Sequence, residues 1–252
     1  MGQVPEYGII GNGRVARHFM HYLGLLKIPT RQWHRPQPTS LLQGMAQRCN
    51  PILLLISDLA ILPFIQSHPF LLNKTIVHFS GCLVLADIFS AHPLMTFGPT
   101  LYEDEKYQHI PFILENEGPI FSTLLPGLPN PNYHIPRALK PYYHSLCVLS
   151  NNFSCLLWLK FYRELQNTLN LPKEVLYPFM MQSYKNLMAD PDTALTGPLV
   201  RNDYASIASN INALKGDPYK DIYTAFVKAY TKMQPHNIVD SVISRGEGKG
   251  IL

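Results

Sequence analysis

Apolar residues in the first half of the chain come in short uninterrupted runs, each closed by turn-forming residues. The runs are Tyr7-Gly8-Ile9-Ile10, Ile52-Leu53-Leu54-Leu55-Ile56, Thr75-Ile76-Val77-His78-Phe79, Leu94-Met95-Thr96-Phe97 and Pro111-Phe112-Ile113-Leu114. Runs of this kind, without polar alternation, predict strands buried on both faces, as in a parallel sheet covered by helices. Thr30 to Pro36, after a turn at Pro29, predicts another strand, and Val15 to Leu26 is an apolar helix between the first two. The order predicts a doubly wound α/β unit. Prolines then break regular structure from Pro126 to Pro136, which predicts a linker. Beyond it the pattern turns helical. Ala138 to Leu169 reads as one long helix stopped by Leu171-Pro172, followed by helices over Val175 to Met188, Tyr204 to Leu214, Tyr219 to Met233 and Asn237 to Ser244. The expected domains are therefore residues 1–136, an α/β unit, and 137–252, an all-α unit. The long helix is apolar round much of its surface and needs a cover, which a homodimer through the helical half would supply.

The sharpest local signal is Gly11-Asn12-Gly13-Arg14-Val15-Ala16, where the first strand meets the first helix. A sharp turn at Gly11, room for a pyrophosphate at Gly13 and close helix packing at Ala16 are what the phosphate corner of a Rossmann-type dinucleotide fold requires. The unpaired amides at the helix start face the negative charge. Gly11, Asn12, Gly13, Arg14 and Val15 are thus candidate cofactor residues, joined by Ser57 in the turn after the third strand. An NAD site places an acid ~20 residues after this corner to bind the ribose hydroxyls. The chain has His34-Arg35 in that region instead. An acid would repel a 2′-phosphate, whereas Arg35 can bind one bidentately and His34 can add a donor. The expected cofactor is NADP(H); the alternative is that Arg35 is simply a solvated residue before Pro36.

Composition narrows the classes. With 46% hydrophobic and 15% charged residues, the chain is a well-buried globular protein rather than a disordered one. Its net charge of +4 comes without a basic run, so nucleic acid is not an expected partner. Cys49, Cys82, Cys147 and Cys155 have no zinc spacing, so no metal is expected and reduced thiols are. No secretion signal or membrane span is read, and the expected location is the cytoplasm.

Several polar groups could do chemistry. His78-Phe79-Ser80-Gly81 ends a predicted strand, at the sheet edge where ligands bind. His92 stands just before the predicted strand at Leu94, and Tyr143-His144 and Ser150-Asn151-Asn152 lie in the long helix. On a regular helix, positions 144, 148, 151 and 155 share a face, so His144 and Asn151 point the same way. Ala194-Leu195-Thr196-Gly197-Pro198 with Arg201 and Asp203 offers a hydroxyl and a guanidinium fork, or else a helix end capped by Asp203 and paired with Arg201. Each has a bland counterpart. His78 and His92 could be structural, Ser80 turn chemistry, and Asn151 a local backbone partner.

Together these segments resemble the Rossmann-like oxidoreductase family whose C-terminal half is the domain of unknown function 2520. The motifs carrying the resemblance are the Gly11 corner, His78-Phe79-Ser80-Gly81, His92-Pro93-Leu94 with Phe97, Tyr143-His144 with Ser150-Asn151, and Ala194 to Pro198 with Arg201 and Asp203. The resemblance implies an NADP-binding domain and a helical domain similar to those of 6-phosphogluconate dehydrogenase and ketopantoate reductase relatives. It also implies reduction of a small 2-keto acid, 2-dehydropantoate foremost, in pantothenate and coenzyme A biosynthesis. His92-Pro93-Leu94-Met95 with Phe97-Gly98-Pro99 is similar instead to a prephenate dehydrogenase string, in which the histidine and a serine, here Ser80, contact substrate. The helical domains of the wider superfamily carry a lysine three or four residues before an asparagine, where Cys147 and Val148 stand here. His92 and His144 then compete as general acid, with Asn151 on the carbonyl, Ser80 near the nicotinamide, and Thr196 or Arg201 on the carboxylate. A non-catalytic NADP-binding sensor is the reading of another class.

Overall fold

A computed structural model describes residues 5–233, and the predicted helix at Asn237 to Ser244 lies outside them. The chain divides into two compact units, the first ending at Leu157 and the second starting at Trp158.

The first unit is built on a seven-stranded sheet of order β2-β1-β3-β4-β5-β6-β7. Its strands are β1 (Tyr7–Ile10), β2 (Thr30–Trp33), β3 (Ile52–Leu54), β4 (Ile76–His78), β5 (Phe89–Pro93), β6 (Phe112–Glu115) and β7 (Asn132–Ile135). Alternate residues of the central strands go to opposite faces, as period-two geometry demands. Ile9, Leu53 and Val77 pack with Ala16, Phe19 and Leu23 of α1 (Arg14–Leu25) in one core. Ile10, Ile52, Leu54 and Ile76 pack in a second with Leu42 and Met45 of α2 (Thr39–Arg48) and Ile61 and Ile65 of α3 (Asp58–Ser67). Two dry faces explain the unbroken apolar runs, and the expected doubly wound Rossmann-type unit is observed.

Three expectations are corrected. Leu94 to Phe97 is not a strand; β5 precedes it, so His92 sits within a strand rather than before one. β5 pairs antiparallel with β6, so the far end of the sheet runs against the rest. The segment Pro126 to Pro136 is not a free linker. It supplies β7, paired in parallel with β6, and its Leu128 and Asn130 are buried. Asn130 accepts from the Tyr22 hydroxyl at 2.6 Å and donates to the Ile110 carbonyl at 2.9 Å. The prolines flank the strand rather than interrupt it, which an edge position tolerates. Two short helices, α4 (Asp104–Gln108) and α5 (Phe121–Leu124), complete the α/β part.

After β7 the chain becomes helical. α6 (Lys140–Cys147) runs into a π-helical segment, Val148–Phe153, and then α7 (Ser154–Asn167), within which the boundary between the units falls. The long helix is therefore not regular, and wider π turns break the α-helical spacing that put His144 and Asn151 on one face. The second unit continues with α8 (Tyr177–Ala189), α9 (Tyr204–Ala213) and α10 (Tyr219–Met233). Among the described residues no helix is long and apolar enough to cross a membrane.

Candidate functional site

The strand register decides which residues reach the sheet edge. Ile10 lies opposite Trp33 and Leu54, and Leu54 opposite His78. The residues that follow these positions therefore emerge together. A cleft of about 840 Å³ opens there, lined by Gly11, Asn12, Gly13, Arg14, Val15, His34, Arg35 and Ser57, with Asp58 and Ser80 among its further walls. All eight sequence-predicted cofactor residues share that one cleft.

The corner is shaped by what its glycines permit. Gly11 has φ +123°, and a Cβ there would stand 2.2 Å from the Leu55 carbonyl oxygen. Only glycine fits both demands. Around Gly13 the space is open: beyond its chain neighbours, no atom of the described residues lies within 4 Å of the position a Cβ would take. Gly13 is the N-cap of α1 and offers no side-chain cap, and the first turn holds no acid. The amides at that end are thus left for an anion. At the other end of β2, His34 Nδ1 approaches the Arg35 carbonyl at 2.9 Å, and the Arg35 side chain is exposed at the cleft. The cleft therefore combines the turn, the bare helix start and the Arg35 guanidinium.

Beyond Ser80 the cleft gives way to a second cluster. The Ser80 hydroxyl donates to Asp58 Oδ2 at 2.5 Å and accepts from the Cys82 and Leu83 amides at 3.3 and 3.0 Å. Its hydrogen is committed to Asp58, so it organises the loop. The next residue, Gly81, is where two imidazoles pack. A Cβ on it would meet His144 Cδ2 at 2.4 Å and His92 Nε2 at 3.1 Å. The His92 and His144 rings are edge to face with centroids 6.0 Å apart. Tyr143, one residue before His144 on α6, places its hydroxyl 2.7 Å from His92 Nδ1.

Burial, with the charges of His144 and Lys140, pushes His92 down to about 4, so the ring is neutral at pH 7. Burial also raises the Tyr143 phenol, which keeps its proton. We assign the Tyr143 O–H as the donor and His92 Nδ1 as the acceptor, which leaves the His92 hydrogen on Nε2, the atom beside Gly81. His78 is fully buried, and burial followed by Lys140 brings it to about 4 as well. Its Nδ1 accepts from the Ser80 amide at 3.2 Å, while Nε2 has no hydrogen-bond partner among the described residues. It is thus only half satisfied, short of the fully paired structural histidine weighed from sequence.

The remaining predicted residues are placed differently. Asn151 lies in the π-helical segment and is exposed. Thr196 and Arg201 belong to the second unit and are exposed. There Asp203 accepts from the Ser206 amide at 3.0 Å and caps α9, the helix-end reading of that motif. The Gly98 carbonyl is 2.9 Å from Nε2 of buried His18, whose Nδ1 meets the Tyr107 hydroxyl at 2.7 Å, so the Phe97-Gly98-Pro99 string is tethered at Gly98 to the core. Sequence reasoning missed a buried charge pair, Lys140 with Glu115, at 2.8 Å. A lysine at a helix start carries no periodic signal of burial.

The fold and its cleft define a Rossmann-type α/β unit followed by a helical unit. Residues 114–230, from within β6 into α10, match the family model described as Domain of unknown function (DUF2520). No curated protein sequence matches the chain. Among solved structures, a candidate NADP oxidoreductase from Bacteroides fragilis is similar with a TM-score of 0.71 and 19% identity, over 90% of this chain and 98% of that one. A reductive aminase from Aspergillus terreus in complex with NADPH and ethyl levulinate gives 0.62 and 14%, over 96% and 99%. Pyrroline carboxylate reductase from Plasmodium falciparum with NADP bound gives 0.53 and 14%, over 90% and 96%. At these identities the likeness establishes the fold.

Proposed function

We propose that the protein is an NADPH-dependent reductase of a small 2-keto acid, 2-dehydropantoate foremost. One observation carries the reading: the cleft lined by the Gly11 corner, His34 and Arg35 ends at Ser80, and the His92–His144–Tyr143 cluster packs on the next residue, Gly81. The cleft fits a dinucleotide. Gly13 and the uncapped start of α1 would take the pyrophosphate with Asn12, Arg14, Val15 and Ser57 around it, and Arg35 with His34 would take the 2′-phosphate. Asp58 lines the same cleft and suits hydroxyl groups rather than phosphates. The solved structures of this fold that hold NADP or NADPH support the choice.

When bound, the nicotinamide cofactor supplies a hydride. The residues of the chain orient the acceptor and handle the proton. A neutral His92 would donate its Nε2 hydrogen bond to the reacting oxygen and steady its growing negative charge. His144, edge to face with it, would supply the proton. A location in the cytoplasm is the matching proposal, and so is a homodimer through the helical half. For the latter, α8 alone exposes Phe179 at 57%, Met181 at 58% and Met188 at 79%.

A second reading has its own support, since the pyrroline carboxylate reductase is named for a substrate with a carbon–nitrogen bond. The test is NADPH consumption with 2-dehydropantoate and with a cyclic imine. Turnover of the keto acid supports the first reading, and turnover of the imine alone moves the assignment to the second. Tight NADPH binding without turnover of either leaves a sensor.

A further inference from the structure

Lys140 is the first residue of α6 and is only 3% exposed. Its ammonium makes a hydrogen bond to each of three other segments. It donates to the Leu83 carbonyl at 2.6 Å, to Ser90 Oγ at 2.5 Å and to Glu115 Oε1 at 2.8 Å. Glu115 is buried too, and it accepts from the Ser90 hydroxyl at 3.0 Å and from Arg137 Nε at 2.7 Å. Each of those segments bears on the imidazole cluster. Leu83 is in the loop that begins with Ser80 and Gly81, Ser90 is two residues before His92 on β5, and Glu115 closes β6, the partner of β5. Lys140 itself opens the helix that brings Tyr143 and His144.

A buried ammonium with three acceptors cannot shift without leaving a charge unpaired, so the four segments are held in one arrangement. We infer that Lys140 is a positioning residue, whose ammonium seats the Tyr143–His144 turn against His92. The groups acting on His92 are Tyr143 and His144 from α6, Lys140, and Asp58 from α3, of which Asp58 alone favours the charged ring. The consequence for catalysis rests on the reductase reading, whereas the placement does not.

The test is a histidine-selective NMR titration of the full chain without ligand, with the His92 signal assigned from a His92→Gln spectrum. Wild-type His92 is expected to stay neutral from pH 8 down to about pH 5. In Lys140→Met/Glu115→Gln, which removes both charges and leaves neither buried alone, its midpoint is expected to rise by roughly one unit. Lys140→Arg keeps the charge and is expected to keep the low midpoint. An unchanged midpoint in the folded double variant, or a wild-type His92 titrating at its ordinary value, overturns the inference. Should circular dichroism show the double variant unfolded, Ser90→Ala decides, because it removes one tether and leaves both charges. The His144 ring signals are expected to move in it, and unmoved signals overturn the inference. The activity arm is separate: a loss of turnover that His92 titration does not accompany speaks against Lys140, and absent turnover in the wild type speaks against the reductase alone.

Discussion

The Tyr143 hydroxyl sits 2.7 Å from Nδ1 of His92, joining residues 51 positions apart. With the phenol as donor, the imidazole hydrogen sits on Nε2, the atom beside Gly81. Tyr143→Phe removes the bond to His92, together with the phenol's hydrogen bond with the Cys147 side chain. Turnover is expected to fall roughly fivefold to tenfold, the worth of one buried hydrogen bond, with little change in the dissociation constant for NADPH. Steady-state kinetics beside a binding titration check this, and unchanged turnover would place the pair outside the chemistry.

Gly81 is small because two imidazoles occupy its flank. In Gly81→Ala the new methyl would stand 2.4 Å from His144 Cδ2, so that ring must move. Turnover is expected to drop at least tenfold while NADPH binding holds, since the cleft lining stops at Ser80. If turnover and binding fall together, the two clusters are not separable.

Buried His78 and half-buried His92 predict acid lability. Burial lowers His78 and His92 to about 4. The unfolded chain then binds protons below about pH 6.5 that the folded chain refuses, so stability falls as pH drops from that value and levels off near the folded values. The loss is on the order of 3 kcal/mol per ring at most. Burial alone would raise Glu115, but Lys140, Ser90 and Arg137 hold it below its ordinary value, so its contribution is also lost towards acid. Urea midpoints at pH 7 and pH 5 should differ markedly; equal midpoints would show that neither ring is buried neutral.

Much of the cleft was legible because its residues answer to local rules. Gly11 and Gly13 are glycines for reasons of backbone and space, and the interval to Arg35 follows from one helix and one strand. The end of the sheet was not legible. Asn132 to Ile135 hides between prolines, and its place at the sheet edge is set by β6, not by its own pattern. His92 was displaced because Phe89 to Pro93 mixes polar and apolar residues, whereas the more apolar Leu94 to Phe97 is loop. The pairing of Lys140 with Glu115 spans 25 positions and three elements, and no spacing rule announces it. The relation of His144 to Asn151 assumed an unbroken α-helix, which the π-helical segment replaces.

The central claim is that the cleft takes NADPH through the Gly11 corner and Arg35. Calorimetric titration of the wild type and Arg35→Ala with NADPH and with NADH tests it most directly. The account predicts that the wild type prefers NADPH and that Arg35→Ala weakens NADPH roughly tenfold to a hundredfold while leaving NADH unchanged, the loss of one charged bidentate contact. Equal affinity for both cofactors, or an Arg35→Ala protein that binds NADPH as the wild type does, would contradict it.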